Sequence, residues 1–370
     1  MGHRCIWKAT VLLILLGTTS LIIQVRDAGW IMDNLIYGET VGSLSGNSLL
    51  GYEGNRRLLK ARLKSKFQGT FPEAVPSKSL GQPWDFHNLL GGISASPLCS
   101  SEVFLLVLIT STPDHFDRRQ AIRNSWCQPI FSPVVGVSPI PNTVLVQCAF
   151  LVGSNDKIGV GKKVAQEAEL YRDIVYGAYN DTYKNLTFKV LTGLHWAAQK
   201  CIAKFIFKTD DDCFVNTVTV VRYLQNESQK HQLNNLYAGR VASSKETQVI
   251  RDPSSPWAVS REDFLPNTFP LYTSGSGYLL SWDVVMKLYE ESKWYKPFPN
   301  EDAYVGVLAE LAGVKPQHSE RFRFFKQQWR MCNFLYLFVV HEVEPKAQAT
   351  MQGLAVQAFR DCKEKFITVL

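Results

Sequence analysis

Three consecutive aspartates, Asp210 to Asp212, follow the apolar run 205–207 in the middle of the chain. Adjacent carboxylates repel one another and are stabilised by a cation, and their hard oxygens suit Mg²⁺ or Mn²⁺ that bridges to a diphosphate. An acidic turn or a helix N-cap cluster is the alternative for such a run. The position directly after an apolar, strand-like segment favours the metal site.

Two further groups could complete such a site. His341 follows an apolar aromatic run, where a lone histidine is usually a core residue, but as a nitrogen ligand beside carboxylates it would favour Mn²⁺ over Mg²⁺. Asp302 stands before the apolar segment 303–308, with Asn300 as a candidate N-cap. Simple capping explains these residues, whereas the functional alternative makes Asp302 a general base.

A glycine-rich segment, residues 272–281, contains Gly275 and Gly277. Glycines allow backbone N–H groups to approach a ligand closely, so the segment is predicted to be a loop that contacts a ligand.

Alternating apolar runs and helical patterns must position these residues. Strands are predicted at 103–109, 144–152 and 204–208, and helices at 118–126, 164–175 and 186–199. This alternation predicts an α/β fold with a mostly parallel sheet covered on both faces. Ligands bind outside the carboxyl ends of such strands, which is where the aspartates stand.

The N-terminus predicts the compartment. An uncharged apolar run covers residues 9–25, about 26 Å of helix, and follows Arg4 and Lys8. The charge asymmetry predicts a cytosolic tail (1–8), a signal-anchor (9–25), a lumenal stem (26–98) and a catalytic domain (99–370). A cleaved signal peptide is the alternative.

Sequons and cysteines fit a lumenal protein. Sequons begin at Asn180, Asn185 and Asn226, and the spacing leaves open whether the first two both carry glycan. Seven cysteines follow Cys5, so at least one is free or pairs between chains, and the pairing stays open.

Composition excludes other classes. The 370 residues are 46% hydrophobic, enough for a packed core, and the net charge of +7 is modest. No zinc-finger spacing or Arg-rich helix accompanies that charge, so nucleic acid is not a predicted partner.

Together, these segments resemble the β-1,3-galactosyltransferase and β-1,3-N-acetylglucosaminyltransferase family, glycosyltransferase family 31. The resemblance runs from about residue 103 to 345. The matching segments are 118–126, 171–187, 208–216, 270–281 and 301–306.

The resemblance implies a GT-A glycosyltransferase fold, a UDP-sugar donor, Mn²⁺ and inversion at the anomeric carbon. It implies that Asp302 is the catalytic base and that the metal is held by Asp210, Asp212 and His341. Donor-side residues would be Thr110, Ser111, Arg118, Arg123, Asp210, Asp211, Gly275 and Gly277. Arg123 could instead be structural, and Cys213 stands where the family has an aliphatic residue.

The sequence thus predicts a Golgi type II membrane hexosyltransferase that acts on glycoprotein or glycolipid glycans. Glu301 before Asp302 favours the galactosyl branch. The alternatives are the N-acetylglucosaminyl branch and a catalytically silent lumenal binding protein or chaperone. A glycoside hydrolase would need two opposed carboxylates and no metal. The donor sugar, the acceptor and the oligomeric state stay open, a homodimer included.

Overall fold

The computed structural model describes Pro97, Cys99 and residues 103–128, 144–230, 232–323 and 329–362. The predicted tail and signal-anchor lie outside these residues, as does the predicted stem except Pro97. Among the helices in the described part of the chain, none combines the length and apolar character that crossing a bilayer requires.

The described residues form ten strands and seven α-helices. The strands are β1 (Val103–Thr110), β2 (Val146–Ser154), β3 (Ile174–Asn180), β4 (Ala203–Asp210), β5 (Phe214–Val215), β6 (Tyr237–Val241), β7 (Thr273–Ser281), β8 (Gln317–His318), β9 (Phe322–Arg323) and β10 (Val339–Val340). The helices are α1 (Phe116–Arg123), α2 (Val160–Tyr171), α3 (Leu186–Lys200), α4 (Thr217–Lys230), α5 (Trp282–Ser292), α6 (Glu301–Leu311) and α7 (Pro345–Asp361).

The central sheet has seven strands in the order β3-β2-β1-β4-β7-β6-β8. The pairs among β3, β2, β1 and β4 are parallel, and β7 is antiparallel to both β4 and β6. A mixed, mostly parallel α/β sheet is therefore confirmed. A second sheet of three short strands has the order β5-β10-β9.

Both faces of the central sheet are covered. Alternate β1 residues such as Leu105 and Val107 pack into a core shared with the small sheet and with α1 and α7. The intervening residues Leu106 and Leu108 are equally buried, on the opposite face. This double burial explains why β1 is a continuous apolar run instead of an alternating one.

Two predicted elements were wrong. The helix predicted over residues 164–175 ends at Tyr171, because Arg172 adopts a left-handed conformation (φ 54°) and Ile174 begins β3. The predicted glycine-rich loop is β7, a fully buried strand whose glycines make room for neighbouring side chains. The predicted strands at 103–109, 144–152 and 204–208 and the helix at 186–199 are confirmed within a few residues.

The cysteines among the described residues form three disulfides and leave one thiol. The pairs are Cys99–Cys201, Cys127–Cys148 and Cys332–Cys362. Cys213 is free and buried. The odd count is thus resolved within the described residues by a buried thiol next to the aspartates.

Candidate active site

The candidate site lies where β1 and β4 end side by side. Thr110 is the register partner of Asp210, and its hydroxyl donates to Asp210 Oδ1. The N–H of Asp211 donates to the Thr110 carbonyl over 3.0 Å, and the chain then turns, because the Cys213 N–H donates to the Asp210 carbonyl over 3.2 Å. The aspartates therefore lie at the carboxyl edge of the parallel strands, as the alternation predicted.

Asp211 is held by the connection between β1 and α1. Its Oδ2 accepts from Ser111 Oγ over 2.7 Å and lies 2.8 Å from His115 Nδ1. Arg118 Nη1 lies 3.6 Å from its Oδ1. The hydrogen bond to Asp211 raises the pKa of His115, although partial burial opposes the shift. Asp211 thus fastens the turn after β4 to the turn after β1.

Asp212 faces His341, which a different part of the chain supplies. Strand β10 pairs antiparallel with β5, and this pairing brings His341 Nε2 to 3.5 Å from Asp212 Oδ2. The hydrogen bond to Asp212 raises the pKa of His341. Burial raises the pKa of Asp212, but His341, Arg118 and the Cys213 thiol together lower it by more, so the net shift is downward. Burial also raises the pKa of the adjacent Cys213 thiol.

A fully buried lysine joins the aspartates to the C-terminal half of the site. Lys208 Nζ donates to Asp210 Oδ1 over 2.9 Å and to the Gly275 carbonyl over 2.6 Å, and it lies 3.3 Å from Glu301 Oε2. Burial alone would lower the pKa of Lys208, but the surrounding carboxylates raise it, so the ammonium is charged. A buried cation of this kind requires such partners.

Asp302 stands in the first turn of α6. Asn300, with φ 83°, caps this helix by accepting from the Ala303 N–H over 3.2 Å, which confirms the predicted cap. Asp302 Oδ2 accepts from the Gly275 N–H over 2.7 Å. A side chain at Gly275 would place its Cβ 2.2 Å from Asp302 Oδ1, so the glycine permits this approach. The position at a helix N-terminus stabilises the carboxylate.

Glu301 is the buried neighbour of Asp302 and lies beside Lys208. It is 2% exposed, accepts from the Tyr278 hydroxyl over 2.9 Å, and its pKa is raised because burial disfavours its ionised form. Sequence reasoning did not assign a role to Lys208 or Glu301. A lysine that ends the apolar run 205–207 was the available signal, because a charge in a buried strand needs a counter-charge nearby.

Comparison with known proteins identifies the family. The galactosyltransferase family matches residues 117–320, more than half of the chain. This chain belongs to the galactosyltransferase family. Human β-1,3-galactosyltransferase 1 is 32% identical over 244 residues, which cover 66% of this chain and 71% of the human protein. The resemblance stated from the motifs is thus confirmed.

One further relative and one solved structure are similar to this chain. Human acetylgalactosaminyl-O-glycosyl-glycoprotein β-1,3-N-acetylglucosaminyltransferase is 33% identical over 255 residues, covering 66% of this chain and 64% of that protein. Apo mouse xyloside xylosyltransferase 1 superimposes with a TM-score of 0.34 at 12% identity, covering 65% of this chain and 98% of that one, a level that does not assign a fold. As a galactosyltransferase-family member, the chain is a hexosyltransferase with a sugar donor and a glycan acceptor.

The remaining predicted donor-side residues divide into two groups in this galactosyltransferase-family chain. Thr110, Ser111, Arg118 and Gly275 lie at the site through the contacts above. Arg123 instead forms ion pairs with Asp173 and Glu167, which supports its structural alternative. Gly277 packs in the core, where an added Cβ would lie 3.2 Å from Val339 Cγ1.

A second buried lysine, which sequence reasoning missed, stands behind the β1 turn. Lys189 Nζ on α3 donates to the Ser111 carbonyl over 2.8 Å and to Asp181 Oδ1 over 2.7 Å. Burial lowers the pKa of Lys189, against the pull of Asp181. The sequence signal that could have indicated a buried lysine was the position of Lys189 among the apolar residues of the predicted helix 186–199. The hydrogen bond from Lys189 therefore stabilises the position of Ser111, whose hydroxyl donates to Asp211.

The three sequon asparagines have different settings. Asn180 ends β3 and Asn226 lies on α4, and both are exposed. Asn185 is half-buried, and its amide Nδ2 donates to the Asn180 carbonyl over 2.8 Å. Glycosylation of all three stays a prediction.

Proposed function

We propose that this chain is an inverting β-1,3-glycosyltransferase that moves a hexose, with galactose favoured, from a UDP-sugar to a glycan on a glycoprotein or glycolipid. One observation carries the proposal. Lys208 binds both Asp210 and the Gly275 carbonyl, and the Gly275 N–H binds Asp302. A candidate cation-binding carboxylate and a candidate base are thus connected through one lysine and one glycine.

The donor atoms at the strand ends fit Mn²⁺. Asp212 offers a carboxylate and His341 an imidazole 3.5 Å away, with Asp210 two residues earlier at the end of β4. This oxygen and nitrogen set suits Mn²⁺ better than Mg²⁺. When bound, the ion would act as a Lewis acid that neutralises charge on the leaving diphosphate. Thr110 and Lys208 hold the Asp210 carboxylate in place for that role.

Asp302 is proposed to accept the proton of the acceptor hydroxyl as the new glycosidic bond forms. Asp302 is partly exposed, so a hydroxyl can reach its carboxylate, and the Gly275 N–H fixes the carboxylate through Oδ2. Direct displacement by the hydroxyl inverts the anomeric centre and needs no enzyme nucleophile. The transition state is oxocarbenium-like, as in glycoside hydrolysis.

Aromatic side chains near the base offer a surface for the acceptor sugar. Tyr183 is 56% exposed and Trp257 is 52% exposed. Burial and the nearby Asp302 raise the pKa of Tyr183, and the neighbouring Trp257 opposes this shift. Large rigid rings bind ligands at low entropic cost.

The wider proposal includes a GT-A fold and a Golgi type II membrane location. The mixed, mostly parallel sheet supports the first. The apolar run 9–25 after Arg4 and Lys8 supports the second. β-1,3-N-acetylglucosaminyl transfer is the second candidate activity, because a human protein of that name is 33% identical to this chain.

The test is UDP release by the purified full-length protein in Mn²⁺, with UDP-Gal, UDP-GlcNAc or UDP-GalNAc over a glycan acceptor panel. Acceptor-dependent release with one donor is expected, and EDTA should abolish it. Asp302→Asn should reduce turnover by about 10²–10⁴-fold with little change in thermal stability. Asp361→Asn is the matched control, because this aspartate is exposed on α7 and its hydrogen bond is to Gln357 on the same helix, outside the candidate site.

Two outcomes would contradict the proposal. Full activity in Asp302→Asn would show that Asp302 is not the catalytic base. A folded chain that binds UDP and Mn²⁺ but transfers to no acceptor would favour the silent lumenal binding protein instead.

A further inference from the structure

Asp212, Cys213 and His341 bring a carboxylate, a thiol and an imidazole together. One ligand atom from each lies within 4.8 Å of the others. The antiparallel register pairs Phe214 with Val340, so the next pair beyond the ladder is Cys213 with His341. Residues directly opposed in an antiparallel pair project from the same face. The register of the β5–β10 pair therefore places the Cys213 thiol and the His341 imidazole on the same face of the small sheet.

The thiol is held in this place by its surroundings. The Cys213 carbonyl accepts from the buried amide of Gln348 over 3.1 Å, and its N–H donates to the Asp210 carbonyl over 3.2 Å. Cys213 Sγ lies 3.6 Å from Asp212 Oδ1 and 3.3 Å from the Ser276 carbonyl. A cation that takes the carboxylate and the imidazole has a sulfur ligand within reach.

We propose that Asp212, Cys213 and His341 form a site for a thiophilic divalent cation, Zn²⁺ or Cd²⁺. A soft sulfur ligand selects such ions, whereas Mn²⁺ prefers oxygen and nitrogen. Three protein ligands with an open fourth position match tetrahedral zinc. On binding, a metal–sulfur bond forms and the thiol proton leaves to solvent.

The ion would compete with Mn²⁺ for Asp212 and His341. This consequence rests on the proposed function, because it requires that those two residues also hold Mn²⁺. Zinc would then inhibit sugar transfer, and the inhibition would be relieved by excess Mn²⁺.

The test is a Co²⁺ titration of the purified full-length protein, with Co²⁺ as a spectroscopic probe for zinc sites. We expect a thiolate-to-cobalt charge-transfer band in the wild type that Zn²⁺ abolishes and that Cys213→Val lacks. Zn²⁺ affinity should fall in Cys213→Val by more than the roughly 10–100-fold that losing an outer-shell partner costs. Cys5 is common to both proteins, and the other described cysteines are in disulfides. A difference in spectrum or Zn²⁺ affinity between the wild type and the variant therefore reports on Cys213 alone.

Cys213→Ala is a second variant in case valine disturbs packing, and a variant is used when its thermal midpoint matches the wild type. Identical Co²⁺ spectra and equal Zn²⁺ affinities in the wild type and the variants would overturn the inference, as would absence of the band in the wild type. The titration contains no sugar donor. A protein that shows the band but transfers no sugar therefore supports this site and counts against the proposed function.

Discussion

Replacing Lys208 by methionine tests whether one buried cation holds the site together. The substitution removes the ammonium that contacts Asp210, Gly275 and Glu301 but keeps the apolar stem. Removing one partner of a buried ion pair costs about 3–5 kcal/mol, because the remaining charge is left uncompensated. Asp210 retains 29% side-chain exposure, so water compensates part of the loss. We therefore expect the free energy of unfolding to fall by about 3 kcal/mol, the lower end of that range.

The assay is equilibrium urea unfolding of a double-mutant cycle. Lys208→Met, Glu301→Gln and the double variant are compared with the wild type, and Lys204→Met is the control. Lys204 lies on the same strand but is exposed, so its replacement should change stability by less than about 0.5 kcal/mol. In the double variant no carboxylate at 301 is left uncompensated, so its loss should be smaller than the sum by about 1–3 kcal/mol.

The pH dependence follows from the same charges. Without Lys208, the pKa of Glu301 in the folded protein rises further above its ordinary value of 4.5. A raised folded-state pKa contributes stability that is present below the unfolded value and is lost as the pH rises through the folded one. The deficit of Lys208→Met should therefore be constant below about pH 8, the folded-state pKa of Glu301 in the wild type, and grow as the pH rises above it. Additive losses within about 0.5 kcal/mol, or a deficit independent of pH, would refute the coupling.

Two further predictions concern single positions. Gly275→Ala should lower transfer on the order of 100-fold because a Cβ there would lie 2.2 Å from Asp302 Oδ1. Gly161→Ala, where an added Cβ meets nothing within 4 Å, is the control, and an active Gly275→Ala enzyme would contradict the proposal that Asp302 is the base. His115→Gln should remove stability that the wild type has below pH 6.5 and loses as the pH rises through the raised pKa of His115. Urea unfolding across that range measures the difference, and a constant gap between the two proteins would contradict the His115–Asp211 pairing.

The buried strands of the sheet were predictable because their residues carry a signal of their own. The run that became β1 is apolar throughout, as a strand covered on both faces must be. The aspartates follow β4 and the Asn300 cap begins α6, so both were placed correctly from local chemistry.

The features that the sequence predictions missed depend on contacts between distant segments of the chain. The glycines of β7 suggest a loop locally, yet Gly275 is required by the Asp302 carboxylate that packs over it. The end of α2 has no glycine or proline to mark it, because Arg172 itself adopts the left-handed conformation. The roles of Lys208 and Glu301 could not be assigned because each is defined by a partner far away in sequence.

The Gln348 hydrogen bond to the Cys213 carbonyl spans 135 residues of sequence. During synthesis, the aspartates therefore leave the ribosome long before β10 and α7, the elements that hold the turn carrying them. A nascent or prematurely terminated chain that stops before Val339 contains every carboxylate of the site but lacks the strand that faces them. Because such long-range pairing forms slowly, the proposed cation binding would appear only after the C-terminal segment has been synthesised and docked. A frameshift near the end of the coding sequence would thus remove activity while leaving each aspartate intact.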